Sequence, residues 1–345
     1  MAQPQQTLDV VYFEYEQPLN VAEIVYIWDI DKTYLDTQFE SLRGLIKTAF
    51  EKAFQKRNVP GTASLLRALV GDHPEHPLYF ISASPPQMEQ KIYQKMQLDN
   101  ISPRGIFFKD NLKNFRPRKF KRLKQQLGYK VQALLELRSR LPENVKMVLF
   151  GDDSESDAVV YSLFSDICTR RLKRAETLSL LDALHVTPEQ RDRILKLQEK
   201  APETDPVSKI YINLVADTDP EYYAKFGRRV LATFTTFQAA LDLYQDERIS
   251  EDALLQVASD MIANYGFTPE ELALNFDDLH KRGFLTTATA GKILPKLRES
   301  FFVPENFAPA FRPSRTLQRL GEKILGLDLA DPWVPDHIDY LNDFR

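Results

Sequence analysis

Cysteine is almost missing from this 345-residue chain: Cys168 stands alone, so no internal disulfide can form. A lone thiol at the end of an apolar segment reads as a small buried hydrophobe, and a reduced, cytoplasmic compartment is expected. Long hydrophobic runs are missing too. No stretch approaches the roughly 20 apolar residues that a membrane span requires, so any membrane association is expected to be peripheral. The opening MAQPQQTLDV has no basic start followed by an apolar stretch, and no secretory leader is expected. Histidines are few: the five show no metal-ligand or triad spacing and read as structural or exposed. Nor is there a large charge of one sign. With 45 basic and 49 acidic residues the formal net charge is −4, which excludes a polycation that binds nucleic acid over its whole surface.

What is present suits a globular protein. Hydrophobic residues make up 43% of the chain and charged residues 27%, an ordinary balance that permits a sizeable core. The length allows one large domain or two smaller ones. Short runs rich in Ile, Val, Tyr or Phe lie at 22–30, 78–82, 105–108, 145–150 and 210–215. Each is apolar on both faces, as strands buried in a parallel sheet are. Between them, 39–54 and 131–141 carry apolar residues at helical spacing. Strands alternating with helices predict a doubly wound, mainly parallel α/β sheet, whose ligands sit beyond the carboxyl ends of the strands.

Residues 172–205 break this rhythm and read as a helical insertion before the last core strand. Within it, Thr187-Pro188-Glu189-Gln190 has the cap, first-turn proline and third-position Gln of a helix start. After about 250 the strand signals stop. Ser250 opens an amphipathic helix with Leu254, Leu255, Ala258, Met261 and Ile262 on one side, and Thr268-Pro269-Glu270-Glu271 starts another. The final stretch is rich in proline and aromatics, among them Phe301, Phe302, Phe307, Phe311 and Trp333. The expected division is an α/β domain over 1–249 and a helical C-terminal appendage over 250–345.

Four motifs carry chemistry. Trp28-Asp29-Ile30-Asp31-Lys32-Thr33 follows the first parallel strand. Two carboxylates there can divide the work of attacking phosphorus and of moving the proton of the leaving oxygen, with Thr33 holding the turn. Phe80-Ile81-Ser82-Ala83-Ser84-Pro85 ends the next strand; a hydroxyl and the following N–H groups can hold a phosphoryl oxygen. Lys130, just before the helix expected at 131–141, supplies a cation against the charge that gathers there. Phe150-Gly151-Asp152-Asp153-Ser154-Glu155-Ser156-Asp157 ends a further strand, and such carboxylates suit magnesium. Each motif alone has an ordinary reading as well: a polar turn, a Ser-rich strand end, a solvated lysine, a solvated acidic loop.

In this order the four resemble the signature of the haloacid-dehalogenase-like phosphatases. The likeness extends through Ser41-Leu42-Arg43-Gly44-Leu45, Val59-Pro60-Gly61, Pro103-Arg104-Gly105 and Gly151-Asp152 with Asp157 and Tyr161. Over roughly residues 20–170 the chain resembles the catalytic domain of the actin-patch-associated phosphatidate phosphatases and their bacterial relatives. The resemblance implies a haloacid-dehalogenase-like Rossmannoid fold and a magnesium-dependent phosphatase with an aspartyl-phosphate intermediate. It implies Asp29 as nucleophile, Asp31 as general acid and base, and Lys130 as the charge-balancing cation. Thr33, Ser82 and Ala83 would contact substrate. Asp29, the Asp31 carbonyl and Asp152 would bind Mg2+, with Asp157 in support, and the doubled Asp152-Asp153 leaves Asp153 a candidate ligand. Lys32, Ala83 and Pro86 stand where the family pattern has an acidic residue, Asn and Trp.

About 50 residues separate Thr33 from Ser82 and Ser82 from Lys130. Each gap must hold a core helix, so only a minimal cap is expected, and an open site suits a bulky substrate. The basic run 113–124 (KNFRPRKFKRLK) suits an anionic phospholipid surface, nucleic-acid phosphates, or simple solvation. Three functions stay open on this reading: a phosphatase acting on phosphatidate or another phospholipid, a phosphatase acting on nucleic-acid ends or a small soluble metabolite, and a non-catalytic binding module.

Overall fold

The computed structural model describes residues 4–15, 23–36, 58–110, 119–154, 156–215, 218–310 and 333–342, the side chains of 119–125 excepted. The helix expected over 39–54 (with the motif at 41–45), the side chains of the basic run 113–124, Glu155 and Phe311 lie outside these residues.

An eight-stranded sheet forms the middle layer, in the order β1-β2-β5-β4-β3-β6-β7-β8. Its strands are β1 (Pro4–Thr7), β2 (Val10–Glu14), β3 (Ile24–Asp29), β4 (Leu78–Ser82), β5 (Gly105–Lys109), β6 (Lys146–Asp152), β7 (Val207–Asn213) and β8 (Val230–Thr233). From β5 to β8 every neighbouring pair is parallel. The hairpin of β1 and β2 is added antiparallel on β5. The five expected parallel strands are β3 to β7. The hairpin and β8 are additions: Pro4–Thr7 reads PQQT, an exposed edge strand without apolar residues beyond its proline, and β8 is only four residues long.

Strand pleating splits the core in two. Tyr26, Trp28, Phe80 and Phe150 face α1 (Thr62–Asp72) and α2 (Glu89–Leu98), while Val25, Ile27, Ile81 and Leu149 face α3 (Lys119–Arg138) and α4 (Asp157–Cys168). Successive side chains of a strand point to opposite faces, which is why these strands read as apolar throughout. The segment 172–205 supplies α5 (Arg174–Ala183) and α6 (Pro188–Lys200), whose Leu181, Ile194 and Leu197 complete the α3/α4 face. Thr187 caps α6 by accepting from Gln190 N–H at 3.4 Å, with Pro188 at its first position. Cys168 ends α4 fully buried, and desolvation pushes its thiol up to about 12.

One sequence expectation is corrected. Lys130 is expected just ahead of a helix over 131–141, yet α3 runs from Lys119 to Arg138 and places Lys130 inside it. Gly128 stands within this helix, and its missing side chain leaves room for α6: a Cβ there would lie 2.3 Å from Gln190 Oε1.

After β8, α7 (Thr236–Gln245), α8 (Glu251–Tyr265), α9 (Pro269–Lys281) and α10 (Thr287–Glu299) pack on the face of α1. Ser250 and Thr268 cap α8 and α9 as the sequence indicates, the latter in a reciprocal capping box with Glu271. Ser64 of α1 donates to Asp260 of α8 at 2.6 Å. The segment 333–342 crosses to the opposite face, where Ile338 and Tyr340 join the α3/α4 core and the Tyr340 hydroxyl donates to Asp166 at 2.5 Å.

Candidate active site

β3 is the central strand from which the site is built. Trp28 pairs with Phe150 of β6, and Phe150 with Tyr211 of β7. Their rings stack across the strands at 3.9 and 4.7 Å between centroids, a cross-strand ladder that fixes register. Asp29, Gly151 and Ile212 follow directly, so the carboxyl ends of three strands finish level. On the other side Asp29 pairs with Ile81, which puts Ser82 one residue beyond it on β4. Neighbouring strands are spaced about 4.8 Å apart, so Ser82 and Asp152 flank Asp29 from either side.

By strand parity Asp29 shares the face of Val25 and Ile27, which is the face α3 covers. Lys130 of α3 meets it there: Nζ lies 2.9 Å from Asp29 Oδ1 and 2.5 Å from Asp157 Oδ1. Lys130 and Asp157 are fully buried, and Asp29 nearly so. Asp157, in the first turn of α4, accepts the Asp152 N–H on Oδ2 at 3.1 Å. Both of its oxygens are thus occupied in holding other site groups. Gly151 is required for this approach, since a Cβ there would lie 2.3 Å from Asp157 Oδ2. Asp152 is itself oriented by the Ser154 N–H, which donates to Oδ1 at 2.5 Å.

The other expected residues surround this centre. Lys32 takes a left-handed conformation (φ 59°) in the turn after β3. That turn is tied by Lys32 N–H to the Leu35 carbonyl at 2.8 Å, and the Lys32 carbonyl accepts from Asn213 at 3.0 Å. Asp31 is half-buried and accepts from the Ser84 hydroxyl at 3.4 Å, while Thr33 is buried in the same turn. Ser82 is buried, with Oγ accepting from Ser84 N–H at 3.1 Å; Ala83 between them is half-buried. Asp153 Oδ1 accepts from Val215 N–H at 2.8 Å beyond β7.

Two tyrosines brace the strand ends. Tyr129, beside Lys130, donates to the Ser82 carbonyl at 2.8 Å, and Tyr161 of α4 donates to the Phe150 carbonyl at 3.0 Å. Burial raises both phenols well above their ordinary range, so they stay protonated and remain donors. Sequence reasoning misses Tyr129, Ser84 and Asn213, and also Tyr222 and Tyr223. The last two stand on a 3-10 helix (Pro220–Phe226) and line a cleft together with Asp152, Asp153, Ser156 and Asp157. The Asp219 cap and Pro220 of that helix are legible signals in the chain.

Ligand atoms of Asp29, Asp152 and Asp157 lie within 4.8 Å of one another. Among the described residues the ammonium of Lys130 stands against these three carboxylates, a formal surplus of two negative charges in a buried place. An all-oxygen donor set with that surplus fits a hard divalent cation such as Mg2+. Burying like charges without such a partner is costly.

The comparison with protein families falls on this part of the molecule. Residues 24–174 match the family model for the phosphatidate phosphatase APP1 catalytic domain. That segment is similar to a phosphatidate phosphatase. It runs from the first residue of β3 to the first residue of α5 and contains every acidic and basic group of the centre, but it is less than half of the chain. No curated protein matches the chain. No solved structure matches it either.

Proposed function

We propose that this protein is a Mg2+-dependent phosphomonoester hydrolase of the haloacid-dehalogenase type, acting on phosphatidate at a membrane surface. The observation that carries this reading is the convergence of Asp29, Lys130, Asp152 and Asp157, inside the segment similar to a phosphatidate phosphatase catalytic domain. Asp29 attacks phosphorus, and the bond from phosphorus to the glycerol oxygen breaks as the aspartyl phosphate forms. Asp31 gives its proton to the departing oxygen, then takes one from the water that attacks the aspartyl phosphate and releases inorganic phosphate. Lys130 keeps Asp29 oriented and offsets charge on the transferring group. Ser82, with Thr33 and the backbone N–H of Ala83, receives phosphoryl oxygens.

Asp29, the Asp31 carbonyl and Asp152 would hold Mg2+, with Asp157 committed to Lys130 and to the Asp152 backbone. Asp153, whose Oδ1 accepts from Val215 N–H, would serve the β7 loop more than the metal. When bound, the cation supplies positive charge that lets an anionic phosphate approach an anionic nucleophile. Tyr222 and Tyr223 beside the acidic centre suit a substrate with an apolar portion next to its phosphate. Among the described residues no helix is long and apolar enough to cross a membrane, and the protein would meet lipid from the surface.

The test is phosphate release from phosphatidate vesicles, a 5′-phosphorylated oligonucleotide and soluble phosphomonoesters, with Asp29→Asn in parallel. Release that needs both Mg2+ and Asp29 and is fastest on phosphatidate is expected. Faster release from the oligonucleotide or the soluble esters would refute the lipid assignment. No Mg2+-dependent release from any of them would refute the enzymatic one.

A further inference from the structure

A second cluster of ligand-type side chains lies at the other end of the sheet. α1 ends at Asp72, and β4 begins at Leu78. Between them His73-Pro74-Glu75-His76 forms a turn closed by His76 N–H on the His73 carbonyl at 3.0 Å. A turn of this kind brings its first and fourth residues together. The two imidazoles stack with centroids 5.0 Å apart and planes at 25°. Glu75 Oε1 stands between them, 3.2 Å from His73 Nδ1 and 3.7 Å from His76 Nε2. A ligand atom from each of the three residues lies within 4.8 Å of the others.

His76 is the telling member. It is only 6% exposed and rests edge-on against Tyr26, yet its Nδ1 is buried without a hydrogen-bond partner. Nε2 is the nitrogen turned toward Glu75; at 3.7 Å it is too far for a hydrogen bond, and it is the one that would take an ion. Buried polar groups are normally satisfied, so this imidazole lacks the partner its position calls for. His73 and Glu75 are partly open to solvent, which leaves a route for an ion and room for water ligands.

We propose that His73, Glu75 and His76 form a second metal site, for a borderline transition metal of the zinc class, with water completing its coordination. Donor chemistry separates it from the carboxylate centre: imidazole nitrogens favour zinc-class ions, and all-oxygen sets favour magnesium. Burial lowers the His76 pKa, which keeps the ring neutral as a ligand must be. Glu23 and Arg248 flank the ring with opposite charges. The ion ties the α1–β4 connection to the amino end of the strand whose carboxyl end carries Ser82. The five-residue strand separates the two ends by about 13 Å.

The test uses the full chain, without an affinity tag, stripped of metal and held in excess Mg2+ so that the carboxylate centre is filled. Zn2+ is titrated by calorimetry, and Co2+ by its visible absorption. One equivalent is expected to bind to the wild type. His73→Ala and Glu75→Gln, both at partly exposed positions, are expected to weaken it at least about 100-fold, since losing even an outer partner costs 10–100-fold. Circular dichroism checks that both variants fold. Asp152→Asn is expected to leave Zn2+ binding unchanged. Wild type that binds no Zn2+, folded His73→Ala and Glu75→Gln that bind as wild type does, or binding lost in Asp152→Asn alone would each overturn the proposal.

Discussion

Lys130 is fully buried between Asp29 and Asp157. Replacing it with Met leaves two carboxylates facing each other in an environment that water does not reach. Removing one partner of a buried ion pair costs about 3–5 kcal/mol, so Lys130→Met is expected to lower the unfolding free energy by that amount, read as a lower urea midpoint, and to abolish phosphate release. An unchanged midpoint would mean that the carboxylates find other compensation. The same surplus of charge makes a second prediction. A cation that binds only the folded site stabilises it by mass action, about 2.7 kcal/mol at a hundredfold excess over Kd. Added Mg2+ is therefore expected to raise the melting temperature of the wild type, and Asp152→Asn is expected to lose that rise. Equal rises in both would remove Asp152 from the metal's ligands.

Among the elements, the α1–β4 connection and the last turn of α9 each hold a buried histidine that responds to pH. His76 lies in the connection from α1 to β4, and His280 in the last turn of α9. Burial lowers the pKa of both, the first opposed by Glu75 and Glu23 and assisted by His73 and Arg248, the second opposed by Asp277. The unfolded chain then takes up protons first as the pH falls below about 6.5, the ordinary histidine value. Their contribution to stability is complete above that value and is lost as the pH falls through the lower folded values. In chelator, the melting temperature is expected to drop on acidification, less steeply in His280→Gln. A slope identical in that variant would show that His280 is not held neutral. Element identity was largely legible in the chain. β3 to β7 are buried on both sides and therefore carry uninterrupted apolar runs, while Thr187, Ser250 and Thr268 announce helices through bonds local to the first turn. β1 has no apolar signature, because it is an exposed edge strand with no face buried in the core.

Across the whole molecule, α8 to α10 are part of the core on the α1 face. Leu254, Val257, Met261, Leu272 and Phe276 are all fully buried. Burying each such side chain contributes about 1.5–3 kcal/mol, a sum comparable to the about 5–15 kcal/mol of net stability of a typical folded protein. A chain ended after residue 249 is expected to lose cooperative thermal unfolding and to bind a hydrophobic dye. A truncated protein with a sharp transition near that of the full chain would show that these helices are an independent appendage.

The sequence alone determined the succession of acidic, hydroxylic, basic and acidic motifs, the strands that bear them and the caps of the later helices. These depend on strands buried on both faces and on hydrogen bonds spanning three or four residues, both written locally. Only the tertiary structure decided that Lys130 lies inside α3 and between two carboxylates, because α3 packs over the end of β3 and beside α4. It also decided that Asp152 turns to Asp29 and Asp157 while Asp153 turns to Val215, and that Tyr222 and Tyr223 border the acidic centre. Each of these depends on which distant segment packs alongside, and spacing along a chain does not encode that.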